Sequence, residues 1–427
     1  MISETDQVFR AGSQHYPQEN AMNFSTWMKD NPSIHQLPLR QICLPTTHDS
    51  AAYALANPMI GEPGLPPVLT DIYNLLPEIA VLVGKLPGLG SQLEAVVSSV
   101  EESIKKVVTG LATSTTQSIN DQLQAGVRGL DLRIARSHRK FYTYHGLRSV
   151  PLAEVLDDLS SFLAATQGEI IYITLGHYQG FEAGSRQEED LLQEILEALG
   201  GYAYVPRIDN GEITNDVWNQ TWTQIVTNDG ASPQGSKVIL VNGEAQQPSG
   251  IYWPQPYSPP DSDNQGMAIF GRYTNGTDLA NMVTEQNQNS CQAQSGNLPF
   301  ALYLTLTPQG SNYTEIILAS VAEGLEALGR TLEGEGSELL GKIIEAVATV
   351  MKKNFSVTTP WTTLEQLSRE IDVSLFEMIR TNFAPAAGEA NTVSMIYIDF
   401  FENSSLVELV VALSTGNLVR AGPQRCP

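Results

Sequence analysis

Hydrophobic and polar positions follow two recurring patterns along most of the chain. Short apolar runs bounded by polar or glycine residues predict buried strands, here at residues 169–175, 237–241, 267–270, 300–305 and 393–399. Apolar residues spaced three or four apart predict helices, here at residues 187–199, 277–288, 364–383 and 404–413. This repeated alternation is typical of a parallel α/β fold and favours one (β/α) barrel over residues 1–427.

Two helical segments interrupt this alternation, one at residues 57–118 and one at residues 315–353. The first has two apolar periodic runs and predicts an inserted helical hairpin, and the second is a helical insertion of similar composition. One interpretation is a cap over the barrel mouth that dips into a membrane interface. The other is that the insertions bury their apolar faces on each other or across a dimer interface. The scarcity of basic residues on their polar faces favours packing.

The charge and the cysteine content narrow the class of protein. The 427 residues carry a net charge of −23, which argues against nucleic acid partners and against bulk-charge binding to anionic membranes. Of three cysteines, Cys43 lies in an apolar run, and a bridge between Cys291 and Cys426 is left open. The N-terminal sequence lacks a signal-peptide pattern, and no apolar run reaches the roughly 18 residues that span a bilayer. We expect a soluble, cytoplasmic protein, with secretion left open.

Polar residues with catalytic potential stand at the ends of short apolar runs. His48 and Asp49 follow the run that ends at Leu44, while Asp131 and Arg133 alternate in a second run, and His145 ends a third. In α/β barrels such strand ends carry the active site. The two-residue spacing of Asp131 and Arg133 predicts that both side chains lie on the same face of the strand. The alternative interpretation is that they form a structural ion pair. Two imidazoles and a guanidinium suit acid–base cleavage of a phosphodiester.

The same motifs resemble the X domain of phosphatidylinositol-specific phospholipase C (PI-PLC). The similarity lies in residues 47–50, 122–133, 145–146 and 169–175, with motif order and spacing that fit the family. The resemblance implies a distorted, incompletely closed (β/α)8 TIM-type barrel. It also implies a phosphodiesterase that binds a phosphatidylinositol-like head group, meets the membrane transiently, and releases diacylglycerol and a cyclic phosphate.

The resemblance also implies roles for the candidate residues. His48 would be the general base and His145 the general acid, and Arg133 would hold the phosphate. Asp49 would orient His145, and Asp399 would orient His48, although an Asp that ends a strand is also a common helix N-cap. Asp131 is expected beside Arg133 in the barrel mouth.

The residues around the first histidine argue against a metal cofactor. Calcium-dependent relatives carry Asn after the first His and acidic residues at both alternate positions of the second motif, which supply oxygen ligands. Here Asp49 follows His48, and Arg133 stands where one carboxylate ligand would be. We therefore expect no calcium and no other cofactor.

The similarity is weakest among the residues that would bind the head group. Tyr273 matches the aromatic residue of the family, with Arg272 beside it, but Gly271 replaces an acidic residue. His177 and Asn242 stand where relatives have a lysine and an arginine. Because hydroxyl recognition contributes strongly to specificity, two alternatives stay open. One is the same chemistry on another glycerophosphodiester or a sphingolipid, and the other is a catalytically silent barrel that binds a lipid or a partner.

Overall fold

The computed structural model describes most of the chain. It covers residues 22–59, 90–227 apart from 211 and 215, 235–245, 253–254, 269–334 and 359–420, together with parts of 341–353 and residue 426. The first predicted helix of the first insertion, around residues 72–83, lies outside the described residues. So do residues 267 and 268 of the strand predicted at 267–270.

The elements alternate between strands and helices, as the sequence predicts. The strands are β1 (Leu44–Thr47), β2 (Ala56–Met59), β3 (Gly129–Ser137), β4 (Lys140–His145), β5 (Leu147–Pro151), β6 (Ile170–Gln179), β7 (Ile208–Asp209), β8 (Glu212–Ile213), β9 (Lys237–Asn242), β10 (Trp253–Pro254), β11 (Phe300–Leu304) and β12 (Val393–Ile398). The helices are α1 (Gly90–Ala112), α2 (Ile119–Gln124), α3 (Leu152–Ala165), α4 (Arg186–Leu199), α5 (Trp222–Thr227), α6 (Leu279–Ser295), α7 (Gly310–Gly334), α8 (Leu364–Asn382) and α9 (Leu406–Ser414).

One curled sheet organises the fold. Its parallel strands run in the order β10–β9–β6–β3–β1–β12–β11, and β4 and β5 add an antiparallel excursion next to β3. Beyond β11, residue Phe270 forms a single bridge to Phe300, so the predicted strand at 267–270 is reduced to that bridge within the described residues. The predicted α/β barrel fold is confirmed in an open, half-barrel form.

Alternation along the strands separates an interior core from an outer core. On β12, Met395 and Tyr397 join an interior cluster with Trp27 and Trp218, while Ile396 and Ile398 belong to the cluster beneath the helices. Because the side-chain period of a strand is two, the next interior position after Tyr397 is residue 399. The same two-residue period indicates which residues at the ends of the other strands lie on the interior face of the sheet.

The insertion helices pack on each other. α1 lies against α7, and Ile104 and Val108 of α1 share one buried cluster with Ile317 and Val321 of α7. The packing interpretation is therefore confirmed for these two helices. Among the described residues, no helix is long and apolar enough to cross a membrane.

A disulfide that the sequence left open joins Cys291 of α6 to Cys426, with Cα atoms 5.4 Å apart. It closes a loop with a sequence separation of 135 residues. Cys43 is a free, buried thiol. The disulfide ties the C-terminal segment to the helical layer.

A buried ion pair closes the end of the barrel opposite His48 and His145. Arg128 and Glu169 are both fully buried, with 2.7 Å between Arg128 Nη2 and Glu169 Oε2. Nε of Arg128 also donates to Glu169, and its Nη1 and Nη2 atoms donate to backbone carbonyl groups, which include those of Leu123 and Ser25. The pair thus ties β3 and β6 to the N-terminal segment.

We expect Arg128→Met to lower the free energy of unfolding by about 3–5 kcal/mol, because it leaves the Glu169 carboxylate buried without its cation. Denaturant unfolding measures the change. The control is Arg369→Met, which removes an exposed i,i+4 pair with Glu365 and should cost no more than about 0.5 kcal/mol. A loss below about 1 kcal/mol for Arg128→Met would contradict the role of the pair.

Candidate active site

Three neighbouring strands bring the candidate residues together. β1 lies between β3 and β12, with Thr47 paired to Leu130 on one side and to Ile398 on the other. His48 and Asp399 therefore follow strands that end side by side. β4 pairs with β3 and delivers His145 to the same region.

His48 is held by the carboxylate that follows β12. Its Nδ1 lies 3.0 Å from Oδ1 of Asp399, and both side chains are buried. The alternative N-cap role of Asp399 is not seen, because the following short helical turn, Phe401–Asn403, is preceded by Phe400 in a left-handed conformation. With Nδ1–H donating to Asp399, Nε2 is the ring nitrogen of His48 that faces Asp49 and Arg133.

Asp49 lies at the centre of the cluster. One of its carboxylate oxygens, Oδ1, contacts Nε of Arg133. The other, Oδ2, lies 3.4 Å from Nε2 of His48 and 3.4 Å from Nε2 of His145. The expected contact between Asp49 and His145 is therefore present, and the same carboxylate also faces the other two groups.

The turn that carries Asp49 is strained and is fixed from several sides. Asp49 has a φ of 45°, a left-handed conformation that is uncommon for residues other than glycine. Its N–H donates to Oδ2 of Asp131 at 3.3 Å, and its carbonyl accepts a hydrogen bond from Ser114 at 2.8 Å. Asp131 thus positions the turn. Strained residues of this kind cluster at functional sites.

His145 is oriented by the end of the first insertion. Its Nδ1 lies 2.7 Å from the carbonyl oxygen of Ala112, the last residue of α1. Because a carbonyl only accepts, Nδ1 carries a proton and Nε2 is the atom that faces Asp49. The sequence did not predict this contact, since nothing in the helical pattern of α1 indicates where its last carbonyl lies.

The charges of the cluster shift the pKa values of two of its members. Burial alone would lower the pKa of His48, but the carboxylates of Asp49 and Asp399 outweigh it and raise the pKa to about 9. Burial alone would raise the pKa of Asp49, but Arg133 and the neighbouring histidines hold it at about 2. At neutral pH the cluster therefore holds a His48 imidazolium beside the ionised carboxylate of Asp49.

Three of these residues also have the spacing of a metal site. Ligand atoms of His48, Asp49 and Asp131 all lie within 4.8 Å of one another. The guanidinium of Arg133 contacts Asp49 and places Nη2 3.4 Å from Nε2 of His48. A positive charge supplied by the chain is thus already present within this cluster.

Tyr273 lies over the general-base candidate. Its ring stacks on His48 with 5.5 Å between centroids, and its hydroxyl contacts Thr307. A ladder of aromatic rings continues beneath it through Tyr303 to Tyr397. The predicted aromatic residue is therefore at the site, next to the base.

The other three head-group candidates differ in their surroundings. His177 is exposed and lines a groove that also contains Arg133. Asn242 is fully buried, and its amide donates to Glu188 and accepts from Tyr178. Arg272 is exposed, with its guanidinium over the ring of Phe270. The amide of Asn242 is therefore engaged inside the protein.

Comparisons with known proteins show similarity in sequence and in fold. No family model matches the chain. The mouse PI-PLC X domain-containing protein 3 is 24% identical over 214 residues, which cover 49% of this chain and 58% of that protein. The zebrafish PI-PLC X domain-containing protein 1 is 24% identical over 219 residues, covering 50% and 62%. The chain thus spans little more than half the length of the curated relatives it matches.

Solved structures show the same fold over nearly the whole chain. Two structures of the phosphatidylinositol-specific phospholipase C from Staphylococcus aureus, one of them with pentafluoro-phenylalanine incorporated, each align with a TM-score of 0.50 at 14% identity. Each alignment covers 91% of this chain and 97% of that one. In sequence the chain is therefore similar to PI-PLC X domain-containing proteins, and in fold it is similar to bacterial PI-PLC.

Proposed function

We propose that the chain is a metal-independent phosphodiesterase of the phospholipase C type, acting on a phosphatidylinositol-like lipid. The family and the fold support phospholipase C-type chemistry in general. The observation that carries the finer proposal is the convergence of His48, His145 and Arg133 on one buried carboxylate, Asp49. Base, acid and phosphate-binding cation are thus within reach of one phosphorus atom.

The proposed reaction is an internal displacement. Nε2 of His48 takes the proton of a head-group hydroxyl next to the phosphate, and that oxygen forms a new bond to phosphorus. The bond from phosphorus to the diacylglycerol oxygen breaks, and His145 delivers a proton from Nε2 to that oxygen. Arg133 stabilises the charge on the phosphoryl oxygens, and Asp399 stabilises the imidazolium of His48. The products are diacylglycerol and a cyclic phosphate.

Product analysis tests the function. Phosphatidylinositol vesicles incubated with the full chain should yield cyclic inositol phosphate, detected by phosphorus NMR, and His48→Ala should not. Turnover of a sphingolipid or another glycerophosphodiester, without turnover of phosphatidylinositol, would favour the same chemistry on a different substrate. No product from either protein would indicate a barrel that binds lipid without cleaving it, and equal product from both would contradict the assignment of His48 as the base.

We expect a chelator to leave turnover unchanged, because the Arg133 guanidinium supplies the positive charge that calcium would otherwise bring to the phosphate. Initial rates with and without EDTA check this, with added calcium as the converse experiment. A strong loss with EDTA that calcium restores would show that the ligand atoms of His48, Asp49 and Asp131 hold a metal in the working enzyme.

We expect Asp399→Asn to lower kcat/KM about ten- to a hundredfold, the range of a hydrogen bond to a charged group. The carboxylate of Asp399 helps to raise the pKa of His48 to about 9. A general base works only when deprotonated, so activity should rise with pH toward 9 in the wild type. Removing the charge lowers that pKa, and the rising limb of the pH–rate profile should move to lower pH. If the rising limb of the Asp399→Asn profile stayed at the wild-type pH, Asp399 would not be the residue that tunes His48.

The disulfide bears on where such an enzyme works. Disulfides persist in oxidising compartments and are rare in a reducing cytosol. The bond between Cys291 and Cys426 therefore favours an oxidising compartment over the cytoplasmic location expected from the N-terminal sequence. A free-thiol assay on protein purified from its source distinguishes the two, since only an oxidising compartment would leave Cys43 as the single titratable thiol.

A further inference from the structure

A groove of about 430 Å³ opens beside Arg133 toward β6 and β9. Its lining includes Arg133, Tyr144, His177, Gln179, Glu182 and Glu244. The groove is continuous with the catalytic cluster through Arg133, which faces both. A substrate whose phosphate lies at Arg133 would therefore extend its head group into this groove.

Glu244 follows β9, which is separated from β3 and Arg133 by β6. Across the β3–β6 pair, Arg133 is opposite Gly176, and a Cβ atom on Gly176 would lie 3.8 Å from Oε1 of Glu244. Neighbouring strands are about 4.8 Å apart, and the Arg133 and Glu244 side chains line the same groove. The lining of the groove thus contains a cation, Arg133, for the phosphate and an anion, Glu244, for the head group attached to that phosphate.

Glu244 also shapes the backbone at the edge of the groove. His177 has a φ of 53°, and the β3–β6 register shifts at this point. Its N–H donates to Oε1 of Glu244 at 2.8 Å, and its carbonyl accepts from the hydroxyl of Tyr144. Such irregularities redirect side chains next to active sites. Here two side-chain hydrogen bonds hold the bend, and the His177 imidazole is exposed at the groove.

We infer that Glu244 selects the head group: it accepts hydrogen bonds from the hydroxyls of an uncharged polyol and rejects head groups that carry additional phosphates. A carboxylate has about four acceptor positions, more than the bond to His177 uses. The groove holds two carboxylates, Glu244 and Glu182, beside Arg133. A further phosphate in the groove would meet like charge. The inference rests on the proposed function in that it assigns the Arg133 end of the groove to the phosphodiester.

Binding of soluble head groups tests this selection without requiring turnover. Calorimetry on the full chain would compare glycerophosphoinositol with glycerophosphoinositol 4,5-bisphosphate. We expect the wild type to bind the first at least about tenfold more tightly. Glu244→Gln should weaken binding of the first about tenfold, the value of one hydrogen bond to a charged group, and should bring the ratio of the two affinities close to one. Glutamine retains a carbonyl oxygen that can accept from the His177 N–H.

Two further variants separate charge from shape. Glu244→Asp keeps the charge and should keep the preference for the unphosphorylated probe. Glu189→Gln removes an exposed charge from α4, outside the groove lining, and should change neither affinity. An unchanged affinity ratio in Glu244→Gln at an unchanged melting temperature would overturn the inference. So would equal binding of both probes, or of neither, by the wild type. Selective binding without any turnover would instead contradict the proposed function alone.

Discussion

Arg133→Ala is expected to lower kcat by at least about a thousandfold, the range seen for arginines that neutralise a phosphoryl group in the transition state. The guanidinium contacts Asp49 and approaches Nε2 of His48, so it lies where charge develops on the phosphoryl oxygens. Arg133→Lys should recover only part of the loss, because an ammonium lacks the planar pair of donors that matches two phosphate oxygens. Steady-state rates on phosphatidylinositol vesicles measure both effects.

The change also has an electrostatic consequence that a purely structural role would not produce. Arg133 lowers the pKa of His48, so its removal raises that pKa and moves the rising limb of the pH–rate profile to higher pH. The matched control is Arg136→Ala on the same strand, whose guanidinium lies 3.5 Å from a carboxylate oxygen of Asp190 near the surface. That variant should stay within about twofold of wild type. A loss of less than tenfold for Arg133→Ala would contradict its assignment to the phosphate.

The parts of the fold that follow local periodicity were predictable from sequence. The interior position of Asp399 follows from the two-residue period of β12. The packing of α1 on α7 follows from the apolar faces of the two insertion helices, whose polar faces carry few basic residues. Strand ends were predictable to within a few residues. Of the strand predicted at 267–270, the described residues contain the bridge from Phe270 to Phe300, and edge pairing of this kind depends on a neighbour that the local pattern does not specify.

The parts of the site that depend on distant segments were not predictable. Asp49 was expected to orient one histidine, but the left-handed turn at residue 49 places its carboxylate among three groups. The hydrogen bond from Nδ1 of His145 to the carbonyl of Ala112 could be predicted only from the position of the end of α1 relative to β4. Glu244 was not recognised at all, since a glutamate two residues past a strand has no distinctive signal. A search of acidic residues just after each strand end would have included it.

These contacts also connect the insertion to the chemistry. α1 packs on α7 through its apolar face, and its last carbonyl fixes the Nδ1 proton of His145. Loosening this packing should therefore reduce activity before it unfolds the barrel, because His145 would lose its orientation first. In the proposed reaction, the helices that interrupt the barrel pattern would therefore support the general acid.

His145→Ala is expected to lower kcat on phosphatidylinositol by about a hundred- to ten-thousandfold, the usual contribution of a positioned general acid. The alkoxide of diacylglycerol is a poor leaving group and needs the proton from Nε2. A substrate with a 4-nitrophenyl leaving group does not, so the same variant should lose far less activity on inositol 4-nitrophenyl phosphate. His48→Ala should lose about equally on both, because the base acts on the attacking hydroxyl, which the two substrates share. If His145→Ala lost the same factor on both substrates, His145 would not be the acid, and its position beside Asp49 would reflect phosphate binding instead.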